Sequence, residues 1–409
     1  MIEKFRQKNV CRVAVLILTA MCRAEGKTIF ALAAAMLLSV GIISAQQKTV
    51  TVAEQFYSGL PDDVTGRIIS SLDSLLSSID RGELDTTLVD RDNYEFNKSF
   101  FAWLQGIEDK DTIRHYYQGQ LINLYPVAPS QYALMIAWLN GNEPGGIFTF
   151  IAGEYDGKIV FASPIKYNTK AWKTATVGTI TIHYPDTFNV SRAEKFHRKN
   201  VIMAGKLKLP VQSWEMYMCR HFQEVLQLQG CSYEVTSNGI FNSGYIVDPK
   251  TFFSVMSNED FSHDLLHIYA SMIHGRNRNV AECGLAYLWG NAGYVDGDGN
   301  IPEQQELIPV LQRYVRTHND ARLLDLFEKN PNVLAEYGYP KSIVYVKDII
   351  AGLIWTEIEK QKGADGVIAF LKCGRGYDNM YKSAEALIGI NRENFDEKVY
   401  GLLFRDVKR

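Results

Sequence analysis

The stretch HDLLHIYASMIHGRNRNVAECGLAYLWG, His263–Gly290, holds two histidines four residues apart, an acid directly after the first, and a second acid, Glu282, fifteen residues beyond the second. Residues four apart on a helix share a face. His263 and His267 therefore project together, one turn apart, and suit a single metal ion. The surrounding segment SNEDFSHDLLHIYASMIHG reads as one helix, with Ser257, Asn258 or Asp260 as its cap and Gly275 as its end. The polar break GRNRN comes next, and AECGLAYLW again has helical composition. A helix–turn–helix then lets Glu282 face the histidine pair. Two histidines and a glutamate, with one position left open, form a donor set of catalytic zinc. The pair alone is a weak signal in a chain of eight histidines, where two partly buried histidines on a helix are the plain alternative.

The usual zinc-peptidase motif is H-E-x-x-H, and here Asp264 stands where the glutamate belongs. On these residues the chain resembles the gluzincin metallopeptidases, in particular the peptidase-MA-like group. In that group the second helix carries a signature like E-G-apolar-A-x-Y. Ungapped, Glu282 takes the ligand position and Tyr287 the aromatic one, while Cys283 replaces the glycine. A one-residue gap instead aligns GLA and puts Cys283 on the ligand. The ungapped alignment keeps the carboxylate and Tyr287 together and is preferred. The resemblance implies zinc held by His263, His267 and Glu282, with Asp264 as general base. The aspartate is one methylene shorter than glutamate, so its carboxylate retreats by ~1.5 Å. A misplacement of ~1 Å can cost about a hundredfold in rate, so the change bears on catalysis more than on metal binding. Tyr345, in SIVYVKD, sits where the family often places a tyrosine, and the resemblance gives it a hydrogen bond to the developing oxyanion; a core tyrosine is the alternative. His274 reads as the polar end of its helix, and DGDGN, 296–300, as a turn rather than a calcium loop.

The resemblance covers roughly residues 178–405, and a gluzincin-like domain is expected over 178–409. Upstream of the histidines, TITIHYP, SWEMYMC and GYIVDP read as strands, with SRAEKFHRKNVIMAGKLKL and RHFQEVLQLQG as helices between them. Downstream, the chain from VYVKDIIAGLIWTEIEKQKGADGVIAFL onward reads as a helical tail: a long helix, a glycine, a second helix, a polar gap and a last helix. Residues 50–172 read as a small accessory α+β domain. DDVTGRIISSLDSLLSSI is a helix capped by Asp62 or Asp63. GQLINLYPV, QYALMIAWL, GIFTFIAGEYDG and KIVFASPI form an antiparallel meander with turns at NGNEPGG and EYDGK. The fold class is thus α+β: a helix-plus-sheet domain, then a zincin-like domain with a small sheet, a metal-binding helix pair and a helical tail.

Residues 1–45 read as a secretory signal peptide. An apolar run from Ile29 to Ile43 follows a cationic start, and Ala45 precedes the cleavage point. The run is shorter than the roughly 20 residues a spanning helix needs, so no stable anchor is expected after cleavage. Removing these residues takes Lys+Arg from 43 to 37 and Asp+Glu from 46 to 44, so the net charge moves from −3 to −7. That balance argues against nucleic acid as a partner. Cys219, Cys231, Cys283 and Cys373 remain, and export permits disulfides. Four cysteines allow three complete pairings, and free buried thiols are the alternative. The reading is an exported protein, periplasmic or extracellular, that hydrolyses peptide or protein substrates with zinc. The alternatives are a weak or inactive homologue that binds a protein or peptide, and an exported binding protein without metal.

Overall fold

The computed structural model describes residues 50–105, 118–235, 244–248, 250–255, 258–292, 301–341 and 344–405. The chain divides into two compact units, 1–51 and 52–409. The expected signal peptide, 1–45, and the turn at 296–300 lie outside the described residues. The second unit is α+β.

Helix α1, Asp62–Asp80, buries Ile68, Leu72, Leu75, Leu76 and Ile79, an apolar stripe at helical spacing. Pro61 is its N-cap. Asp62 and Asp63 lie inside the first turn, where they favour the positive helix end rather than cap it. Helix α2, Tyr94–Gln105, is an element that the sequence pattern does not announce. Its Phe100 and Phe101 pack edge-on against Phe150. The expected meander forms from β1, Gln118–Ala128, β2, Gln131–Asn140, β3, Glu143–Tyr155, and β4, Lys158–Ala162, each antiparallel to the next. Asp156 and Gly157 turn the last hairpin with φ of 49° and 73°. Two successive positive φ values match the twist of the flanking strands.

The second sheet runs in the order β9–β10–β7–β6–β5, from β5, Lys173–Val177, β6, Ile180–Tyr184, β7, Trp214–Cys219, β9, Gly244–Asp248, and β10, Thr251–Val255. β6, β7 and β10 are mutually parallel neighbours; β5 and β9 are antiparallel edges. Parallel neighbours need a crossover, and α3, Val190–Leu207, supplies the one between β6 and β7. Every residue of β10 is buried. A strand covered on both faces loses the alternating pattern, which is why TFFSV does not read as a strand. The two sheets interlock. After α4, Phe222–Leu228, the strand β8, Cys231–Glu234, returns to pair with β3 of the first sheet.

The helical remainder packs on the second sheet as one core. It comprises α5, Ser262–His274, α6, Glu282–Trp289, α7, Gln304–Thr317, α8, Leu323–Lys329, α9, Val346–Leu371, α10, Tyr377–Ile388, and α11, Phe395–Leu403. The expected glycine in the tail is Gly363, which breaks α9 with φ 61° and ψ −157°. Among the described residues, no helix is long and apolar enough to cross a membrane. Cys219, Cys231, Cys283 and Cys373 are free thiols.

Candidate metal centre

Helix α5 turns Leu265, Leu266, Tyr269 and Ala270 into the core and leaves His263 and His267 half-buried along the flank of that stripe. Phe261 is its N-cap, without a side-chain bond. Of the expected caps, Asn258 and Asp260 are buried but serve elsewhere, and Ser257 lies outside the described residues. The Asp260 carboxylate accepts from Lys199 Nζ at 2.7 Å, and Lys199 also donates to the Gly290 carbonyl at 2.8 Å. The Asp260 carbonyl accepts from Asn291 Nδ2 at 2.8 Å. This network ties the start of α5 to the end of α6.

Each histidine is oriented by its Nδ1. That of His263 donates to the Asn291 carbonyl at 2.9 Å, and that of His267 to Glu282 Oε1 at 2.6 Å. A carbonyl and a carboxylate are acceptors, so both protons sit on Nδ1 and both Nε2 lone pairs are left to meet. They face each other at 3.3 Å. Burial pulls His263 down to about 4, so this ring is neutral near pH 7. The His267 lone pair also lies within reach of the guanidinium of Arg278, Nη2 at 3.0 Å.

The third atom at that point is Cys283 Sγ, 3.7 Å from His267 Nε2. One donor atom each from His263, His267 and Cys283 lies within 4.8 Å of the others. Glu282 does not stand there. It is 1 % exposed, and its two oxygens accept from His267 Nδ1 and from His274 Nε2, both at 2.6 Å. Successive residues on a helix point about 100° apart, so at the start of α6 only one of Glu282 and Cys283 can face the imidazole lone pairs. Burial opposes ionisation of Glu282, but the bond from His267 and the nearby guanidinium of Arg278 outweigh it and lower its pKa. His274 is therefore more than a polar helix end: its side chain is 4 % exposed and fixes the buried glutamate.

The depth of α6 is set by a glycine. A Cβ on Gly284 would fall 2.3 Å from Ala351 Cβ and 2.6 Å from Gly352 N, so α6 lies directly on the α9 backbone. Asp348, on the same helix, is 5 % exposed, and burial pushes its carboxyl up to about 6. Burial, and then Asp348, push the Cys283 thiol up to about 12. Arg278, on the loop between α5 and α6, donates from Nη2 to His267 Nε2 at 3.0 Å and to Cys283 Sγ at 2.8 Å. Its Nε lies 3.1 Å from Glu282 Oε1.

Asp264 is half-buried beside His263, and its carboxylate bonds no described residue. Tyr345 is the N-cap of α9 and 42 % exposed; its phenol bonds no described residue. Its main-chain N–H donates to the Tyr287 hydroxyl at 3.1 Å, and the Tyr287 ring stands 5.7 Å from that of His263. Cys283 is legible as a donor in the sequence only through the gapped alignment of GLA. Arg278, Asn291 and Asp348 carry no sequence signal, because each reaches the site through tertiary packing.

The donor spacing can be tested against a metal. Two nitrogens bound at ~2.0–2.1 Å to one tetrahedral zinc lie roughly 3.3–3.4 Å apart, and such a nitrogen and a sulfur at ~2.3 Å lie roughly 3.6 Å apart. The observed 3.3 Å and 3.7 Å fit both. No protein-family model matches the chain, and no curated protein matches it.

Proposed function

We propose that this chain is an exported, zinc-dependent, peptidase-like hydrolase whose metal donors are His263, His267 and Cys283. The observation that carries the reading is that one donor atom each of His263, His267 and Cys283 lies within 4.8 Å of the others, with His267 Nε2 3.3 Å from His263 Nε2 and 3.7 Å from Cys283 Sγ. Bound there, zinc supplies Lewis-acid polarisation of a peptide carbonyl and makes a water easier to deprotonate. The chain's residues do the rest. Glu282 and the Asn291 carbonyl hold the two imidazoles in the tautomer that presents Nε2, the usual duty of groups behind a metal ligand. Asp264, directly after the first ligand, takes the proton from the attacking water. Tyr345, exposed at the N-cap of α9, would donate to the oxyanion. The substrate is a peptide or protein, and the segment 1–45 directs export.

A second reading, a binding protein descended from a peptidase, draws support from the shortened Asp264, whose carboxylate bonds no described residue. Zinc content separates these from a metal-free protein. The mature chain from Gln46, dialysed without chelator, is expected to hold about one zinc, lost in His263→Ala. Cobalt loading should give a thiolate-to-metal absorption band that Cys283→Ser abolishes. Chelator-sensitive, zinc-restored cleavage of a peptide mixture marks the hydrolase; zinc without cleavage marks the binding protein.

A further inference from the structure

We propose that Arg278 is an internal cation that occupies the metal donors in the metal-free protein and must swing away for a metal to bind. The inference rests on the donor set proposed above and deepens it. Arg278 Nη2 donates to His267 Nε2 at 3.0 Å and to Cys283 Sγ at 2.8 Å. These are two of the three atoms a metal would use. Each Nε2 has one lone pair in its ring plane, so His267 Nε2 can serve the guanidinium or a metal but not both. A guanidinium stays protonated in proteins, so it is a permanent competing charge. It relieves the meeting of the two Nε2 lone pairs, 3.3 Å apart.

The geometry also provides the way out. The Arg278 side chain is 49 % exposed, on the loop that follows Gly275. Gly275 has φ 61° and ψ −119°, a backbone conformation open to glycine. Solvent is therefore at hand for the displaced head group. Its Nε pairs with Glu282 Oε1 at 3.1 Å, and that bond gives the swinging side chain a pivot beside the site. The device is self-consistent: a metal releases the arginine, and loss of the metal is answered by its return, which keeps the histidines and the thiol aligned for the next ion.

The test is zinc affinity, read by competition with a chromogenic chelator on the mature chain. The variants are Arg278→Gln, Arg276→Gln and His263→Ala. Arg276 is exposed on the same loop, so Arg276→Gln removes an equal charge without touching the donors. The expected result is zinc bound about tenfold or more tightly by Arg278→Gln, because two charge-assisted hydrogen bonds no longer have to be exchanged, with Arg276→Gln near wild type. Affinity unchanged or weakened in Arg278→Gln, while wild type binds zinc and His263→Ala does not, overturns the latch and leaves the metal site standing. Equal tightening in both arginine variants overturns it in favour of net charge. No zinc in any variant overturns the latch and the metal reading together. Urea unfolding confirms that each variant folds; if Arg278→Gln does not, Arg278→Lys, which keeps the charge and loses the planar fork, is expected to tighten binding by a smaller factor, and unchanged affinity in it overturns the latch.

Discussion

Gly284→Ala tests the link between helix packing and the site most directly. The added Cβ would stand 2.3 Å from Ala351 Cβ, 2.6 Å from Ala351 C and 2.6 Å from Gly352 N. Two of these are backbone atoms of α9 and cannot rotate aside. Ordinary contact begins at 3.4 Å, so α6 must retreat from α9 by about 1 Å, the difference between that value and the closest contact. Overpacking of this kind costs about 1–3 kcal/mol. The retreat carries Glu282 and Cys283 with it, and metal donors tolerate errors of only about 0.2 Å. Urea unfolding should show a lower midpoint at unchanged slope, and zinc affinity should fall by about tenfold or more. Gly401→Ala is the control: Gly401 lies within α11 and a Cβ there meets nothing within 4 Å, so it should stabilise by about 0.5–1 kcal/mol. Wild-type stability and zinc binding in Gly284→Ala would refute the claim that this close approach sets the position of Cys283.

Further outcomes are expected. Cys283→Ala should lose zinc almost completely while remaining folded, measured by metal analysis and circular dichroism; retained zinc would return the ligand role to Glu282. Glu282→Gln should weaken zinc by about 10–100-fold, because the residue behind a histidine ligand fixes its tautomer, and affinity equal to wild type would contradict that role. Asp264→Glu should keep zinc and raise peptide cleavage, and loss of both zinc and fold would count against Asp264 as the base. Glu328 accepts two bonds from Arg392, both at 2.9 Å, and one from Tyr381 at 3.0 Å. The Arg392 bond holds its carboxyl below the usual range. A lowered folded pKa stabilises above the unfolded value and the gain is lost as pH falls through the folded one. Glu328→Gln should therefore cost about 0.5–1 kcal/mol at neutral pH, discounted because Arg392 is 62 % exposed. The difference from wild type should vanish on acidification, and a pH-independent difference would show that the charge is not its source.

Elements whose pattern is local were legible in the sequence. The apolar stripe of α1 and the alternation and turns of the meander fall where the spacing puts them. So does the helix that carries His263 and His267, because one buried face writes a period of 3.6 or 2 into the chain. The pairing of those two histidines follows from four-residue spacing alone. Only the tertiary structure could decide which residue of α6 joins them. Glu282 and Cys283 differ by a fraction of a helical turn, and the rotation of α6 is set by contacts distant in sequence: Gly284 against Ala351, and Glu282 between His267 and His274. The same holds for β10, whose two buried faces erase its alternation, and for Arg278, whose place on the donors depends on the path of a loop. A helix period records which side is buried, but not the angle at which two helices meet.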